Sequence, residues 1–142
     1  MTAYRANGSL LWVPVFLTWL AEAQALGGAL AESLRTLVEA LTVNPDERFW
    51  RPETLRVRGD IRRQQGEDEL AEADFRAAIA LAREMSAKAW ELRAATSLAR
   101  LWCERGRHAE ARDLLAPVYG WFTEGFDTAD LKDAAALLAE LG

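Results

Sequence analysis

The stretch "WELRAATSLARLWCERGRHAEARDLL", residues Trp90 to Leu115, carries apolar residues at helical spacing, then Gly106, then apolar residues at helical spacing again. That pattern is two amphipathic helices joined by a turn. Glycine suits the end of the first helix because a left-handed cap conformation is cheap only without a Cβ. The arrangement recurs along the chain. Gly28, Gly66 and Gly106 are separated by 38 and 40 residues, a period typical of helical repeats. Seven residues before each glycine stands a small residue: Ala21, Gly59, Ala99. Five after come Ser33, Ala71 and Ala111; nine after, Leu37, Phe75 and Leu115; twelve after, Ala40, Ala78 and Val118. Small residues let the two helices of a hairpin cross closely, and the large apolar residue fills the space beside them.

The rest of the chain reads as helix too. Ala, Leu, Arg and Glu dominate, and no apolar/polar alternation or Asn-Gly turn marks a strand. The expected helices run roughly over 12–27, 30–43, 52–65, 68–84, 87–105, 108–122 and 128–141. Short connections make consecutive helices antiparallel neighbours. Pro52 suits a first helical turn. Asp127 or Thr128 is the expected cap of the last helix, with Asp130 in its first turn. Leu131, Ala134, Ala135, Leu138 and Leu141 share one side of that helix, the pattern of a capping helix. Trp121, Phe122 and Phe126 are expected to pin it as core aromatics.

Bulk numbers set the outer bounds. The chain has 142 residues, is 51% hydrophobic and 27% charged, and is read as one domain over 1–142. A net charge of −5 argues against a nucleic-acid partner. The single cysteine, Cys103, allows no internal disulfide and no cysteine-based zinc site, and points to a reducing, cytoplasmic setting. The apolar run Leu10 to Ala21 is too short for a membrane span and is broken by Pro14, so it reads as a buried helix and not as a signal peptide.

Small–small–large–small around a turn glycine resembles the tetratricopeptide (TPR) family. Gly59, Gly66, Ala71, Phe75 and Ala78 stand in TPR register, as do Leu98, Ala99, Trp102, Gly106, Ala111 and Leu115. Arg58 and Arg62 depart from it, because TPRs prefer apolar residues there, and the repeats are longer than usual. The resemblance implies an all-α, right-handed solenoid of three antiparallel hairpins, about 12–43, 52–84 and 87–122, plus a capping helix over 128–141. A closer resemblance rests on "FLTWLAEAQALGGALAESLRTLVEAL", "RVRGD" and "LAPVYGWFTEGFDTADL". It is to the C-terminal TPR region of bacterial adenylate/guanylate cyclase–AAA ATPase signalling proteins. It implies a protein-interaction or regulatory module and carries over no catalytic residue, since the phosphate-binding loop and the cyclase segment of those proteins have no counterpart here.

Catalytic and cofactor signals are weak. His108 is the only histidine and reads as exposed in a first helical turn, with Cys103 and Asp113 as ordinary helix residues. Glu67, Asp68 and Glu69 follow Gly66, where acidic residues favour a helix N-terminus. No cofactor or metal is expected. The groove lined by the first helix of each hairpin is the better candidate. By register it carries Glu53, Arg56, Asp60 and Arg63, then Arg93 and Arg100. The four arginines form a basic strip suited to an acidic peptide, or are paired internally with carboxylates. The two-carboxylate clamp of chaperone-binding TPRs is not matched, because its positions hold Thr18, Glu22, Val57, Arg93 and Ser97. Trp12, Val13, Phe16, Leu17, Trp19 and Leu20 occupy nearly every face of the first helix. A helix apolar all round is normally covered. The expected cover is an upstream segment, residues 1–11, or a second copy docking on Trp12, Val13, Phe16, Trp19 and Leu20 as a homodimer. The function expected is protein–protein interaction. A self-associating structural module and a small enzyme with an unrecognised site are the alternatives.

Overall fold

The computed structural model describes residues 12–43 and 48–142. The expected cover by residues 1–11 lies outside them. Among the described residues the chain is all-α, with helices α1 (Val13–Leu26), α2 (Leu30–Thr42), α3 (Arg51–Gln64), α4 (Asp68–Glu84), α5 (Lys88–Glu104), α6 (His108–Gly120) and α7 (Ala129–Leu141). Each lies within two residues of its expected bounds. The helices pack in sequential pairs, and α1 also touches α3, α3 touches α5, and α5 touches α7. That arrangement is consistent with a helical repeat. No described helix is long and apolar enough to cross a membrane.

The turn glycines do what the spacing predicts. Gly28, Gly66 and Gly106 have φ of 88°, 80° and 78°. At each, the next residue donates its N–H back across the turn: Ala29 to the Gln24 carbonyl, Glu67 to Arg62, Arg107 to Trp102. The glycines donate to Ala25, Arg63 and Cys103. These paired bonds satisfy carbonyls that a helix end leaves open. Ser86 makes the same turn after α4 with φ of 55°, and Ala87 donates to Ala82.

All twelve residues of the four aligned columns are inside. Ala21, Ala99, Ala71, Ala111, Ser33, Leu37, Phe75, Leu115, Ala40, Ala78 and Val118 are buried, and Gly59 is buried too. Gly59 lies against the Phe75 ring, which a Cβ would meet at 2.5 Å. Ser33 donates to the Ala21 carbonyl at 2.7 Å, tying the first hairpin at its crossing.

Arg58 and Arg62, which break the apolar pattern of the repeat, have a partner that the sequence reading missed. Asp74 of α4 is 5% exposed and accepts two bonds from Arg58, at 2.8 and 3.1 Å, and one from Arg62 at 3.0 Å. A carboxylate inside the α3–α4 hairpin thus holds both guanidiniums at positions where apolar residues were expected.

Three details of the C-terminal region differ from expectation. Thr128 is the residue before α7, but its hydroxyl donates to the Gly125 carbonyl and caps no helix N–H. The buried face of α7 is Leu131, Ala134, Leu137 and Leu141, with Ala135 and Leu138 only partly covered. A shift of one residue rotates a helix face by about 100°. Trp121 and Phe126 are about half exposed, so of the three expected core aromatics only Phe122 packs against the core.

Gly59→Ala tests the crossing. In an open helix this change adds stability, about 1 kcal/mol. Here we expect a loss of about 1–3 kcal/mol in chemical denaturation, because the new methyl strikes the Phe75 ring. Phe75→Leu in the same chain should recover part of the loss. A stabilised Gly59→Ala protein would contradict the close packing.

Candidate functional site

The odd-numbered helices α1, α3 and α5 touch one another in sequence, so residues in one repeat register can form rows across them. Sixteen residues before the turn glycines stand Trp12, Trp50 and Trp90; six before stand Glu22, Asp60 and Arg100. These two columns are a signal in the sequence that the reading by small residues passed over.

The first column is an aromatic lip. Trp50 and Trp90 meet edge to face with centroids 4.9 Å apart. Trp19 meets Trp50 at 6.3 Å and Phe16 at 5.8 Å, taking the place in the row that register gives to Trp12. The Trp90 indole N–H donates to the Phe49 carbonyl at 3.1 Å, which holds its ring in place. Edge-to-face contact is the favoured aromatic geometry.

One turn further along lies a charge network. Glu53, 3% exposed, accepts two bonds from Arg56, at 2.6 and 3.0 Å, and pairs with Arg93 of α5 at 2.8 Å. Arg56 also donates to Asp60 at 2.7 Å. Arg93 reaches Asp130 of α7 at 3.4 Å and lies 5.9 Å over the Trp90 ring. Arg63 pairs with Glu104 at 3.2 Å. Arg100 is exposed, with no ion pair among the described residues. Of the expected basic strip, three arginines are therefore held by carboxylates. Glu53, read as a groove residue, is covered by its own arginines.

Two clefts open on this face. One, of about 170 Å³, lies between α1 and α3 and is lined by Glu22, Ala25, Leu26, Arg56, Val57 and Asp60, among others. The other lies between α3, α5 and α7 and includes Ser97, Arg100 and Asp133. Burial and the nearby Glu53 charge push the Glu22 carboxyl above its ordinary range, against the pull of Arg56 and Arg93. Burial likewise raises Asp60 in spite of Arg56. Under the α3 side of this face, the hydroxyls of Thr18 and Thr54 share a buried hydrogen bond at 2.8 Å.

The other candidates fall elsewhere. Val13 is fully buried, so it belongs to the core and not to an exposed self-association face; Trp12, Phe16, Trp19 and Leu20 are each about half exposed. His108 opens α6 in solvent, Asp113 is exposed, and Cys103 is partly buried against the core. Among the described residues no group of three or more His, Cys, Asp or Glu is placed to hold a metal ion. Trp121, read as core, lines with Phe122, Ala89, Leu92 and Leu131 an apolar cleft of about 500 Å³. No protein-family model matches the chain, and no curated protein matches it.

The raised carboxyl of Glu22 has a consequence for stability. The folded protein binds that proton more tightly than the unfolded chain does, so ionisation above the unfolded pKa removes stability. Glu53 and Asp60 oppose the ionised form while Arg56 and Arg93 favour it. Glu22→Gln should raise Tm by about 1–2 °C at pH 7, and the gain should vanish near pH 3, where residue 22 is uncharged in both proteins. A lower Tm at pH 7 would contradict the assigned environment.

Proposed function

We propose that this chain is a non-catalytic protein-interaction module of the tetratricopeptide type, whose hairpins stack as a right-handed solenoid and dock a peptide or helix on the odd-helix face. The burial of all twelve aligned positions supports the repeat. The odd-numbered helices touch one another in sequence, while the even-numbered ones do not pack together to the same extent. Such an asymmetry supports a curved stack with α1, α3, α5 and α7 on the inside. The observation that carries the functional reading is this face itself. Three successive hairpins contribute an aromatic lip, a charge network and open clefts to one continuous surface. The resemblance to regulatory tails of bacterial signalling ATPases supports the same role within a larger assembly.

Peptides selected from a displayed random library against the full chain should lose affinity at least about tenfold, a loss of about 1.4 kcal/mol, when Gln64→Trp fills the α1–α3 cleft. Ala77→Trp, on the exposed side of α4, should leave binding unchanged. The reverse result places the ligand on the other face and ends this reading.

A second reading has its own observation. Trp12, Phe16, Trp19 and Leu20 are about half exposed on a single helix, and Leu26 at its end is 91% exposed. Large exposed apolar patches mark interaction surfaces. Self-association through α1 would appear in light scattering as a dimer that Phe16→Glu with Leu20→Glu converts to monomer. A monomer at all concentrations removes it.

A further inference from the structure

The odd-helix face is short of positive charge, and the shortage is local. Around the α1–α3 cleft three carboxylates, Glu22, Glu53 and Asp60, surround two guanidiniums, Arg56 and Arg93. Arg93 is further shared with Asp130. Glu53 is fully engaged, holding both arginines. Asp60 has one. Glu22 has no ion pair among the described residues and stands open on the cleft. Around Glu22 the carboxylates outnumber the guanidiniums, and a cation placed between Glu22 and Asp60 would offset that excess.

The walls of the cleft fit an alkyl stem that carries such a cation. Ala25, Leu26, Val57 and Ile61 line it, and Leu26 is left almost wholly exposed. A long basic side chain lays its methylenes on apolar surface while its charged head reaches carboxylates. Trp19, one turn before Glu22 on α1, begins the Trp19–Trp50–Trp90 row, which offers aromatic surface to neighbouring apolar residues.

We infer that the odd-helix face docks a segment of a protein partner that carries a lysine or arginine flanked by apolar residues, with the cationic head between Glu22 and Asp60 and the flanking residues on the tryptophan row. This rests on the reading of that face as a docking surface. It reverses the sign of the partner that the arginines alone point to. Three of those arginines already have carboxylates, so an acidic segment would find only Arg100 without an ion pair.

Three fluorescein-labelled ten-residue peptides test it on the full chain by fluorescence anisotropy. They share one leucine–alanine pattern and differ in the polar residue: lysine, serine or glutamate. The lysine peptide should bind about tenfold more tightly than the serine peptide. Glu22→Gln should abolish that gain, while Glu140→Gln, which removes the same charge from the exposed end of α7, should preserve it. Circular dichroism checks that both variants fold. A gain that survives Glu22→Gln, or that falls equally with Glu140→Gln, means that net charge alone attracts the peptide and overturns the inference. Tightest binding of the glutamate peptide, blocked by Gln64→Trp, overturns it but leaves the docking surface standing. Binding of no charged peptide above the serine one also overturns it. Failure of Gln64→Trp to affect any bound peptide removes the docking surface itself.

Discussion

The structure depends on how tightly two antiparallel helices can cross beside a left-handed turn. The turn residues Gly28, Gly66 and Gly106 reverse the chain within a few residues, and the backbone bonds across them close the helix ends. Such a short reversal forces each hairpin to cross near its turn. The crossing then admits only small side chains: Ala21 against Ser33, Ala99 and Ala111 in the third hairpin, and Gly59 where Phe75 needs the space. A helix interior disfavours glycine, so Gly59 is a local sacrifice of propensity to packing. With three hairpins closed in the same way, α1, α3 and α5 come into contact in sequence, and repeat register largely sets which side chains become neighbours.

Charge inside this scaffold follows the same logic. Arg58 and Arg62 point into a hairpin where apolar residues would pack, and Asp74 is the group that makes this tolerable. Buried ion pairs of this kind add little net stability, because desolvation offsets most of the attraction. Losing one partner is costly, however, because it leaves the other buried and unpaired. Glu53 does the equivalent work between hairpins, since Arg56 comes from its own helix and Arg93 from α5. It couples the stacking of hairpins to the surface that the stack presents.

The fold was legible because its determinants repeat at fixed offsets from a glycine. Every member of the four columns is a residue whose size alone states its place. The site was less legible, for identifiable reasons. The partner of Arg58 lies sixteen residues away across a turn, and the partner of Arg93 forty away on another hairpin, and no periodicity marks either. Arg56 and Glu53, three residues apart on one helix, could have been paired from the sequence. Counting arginines without their neighbours turned a network of paired charges into a basic strip. The tryptophan column was visible at a constant offset, yet a large aromatic is as compatible with a core as with a lip. Trp121 and Phe126 were misread for that reason, and only the course of the 121–128 segment leaves them outside.

On the docking reading, a face built from one column per repeat would carry a direction. The column six residues before each glycine changes from Glu22 and Asp60 to Arg100 along the stack. The aromatic column beside it does not change in kind between Trp50 and Trp90. A segment lying across these helices would therefore meet uniform apolar contact but a reversal of charge. Apolar contact is non-directional and charge complementarity fixes register. The tryptophans would supply adhesion in either orientation, while the acidic cleft at one end and Arg100 at the other make the two orientations unequal. On the docking reading, selectivity for a partner and for its polarity would both follow from the residues at a single repeat position, leaving the small-residue columns that build the fold untouched.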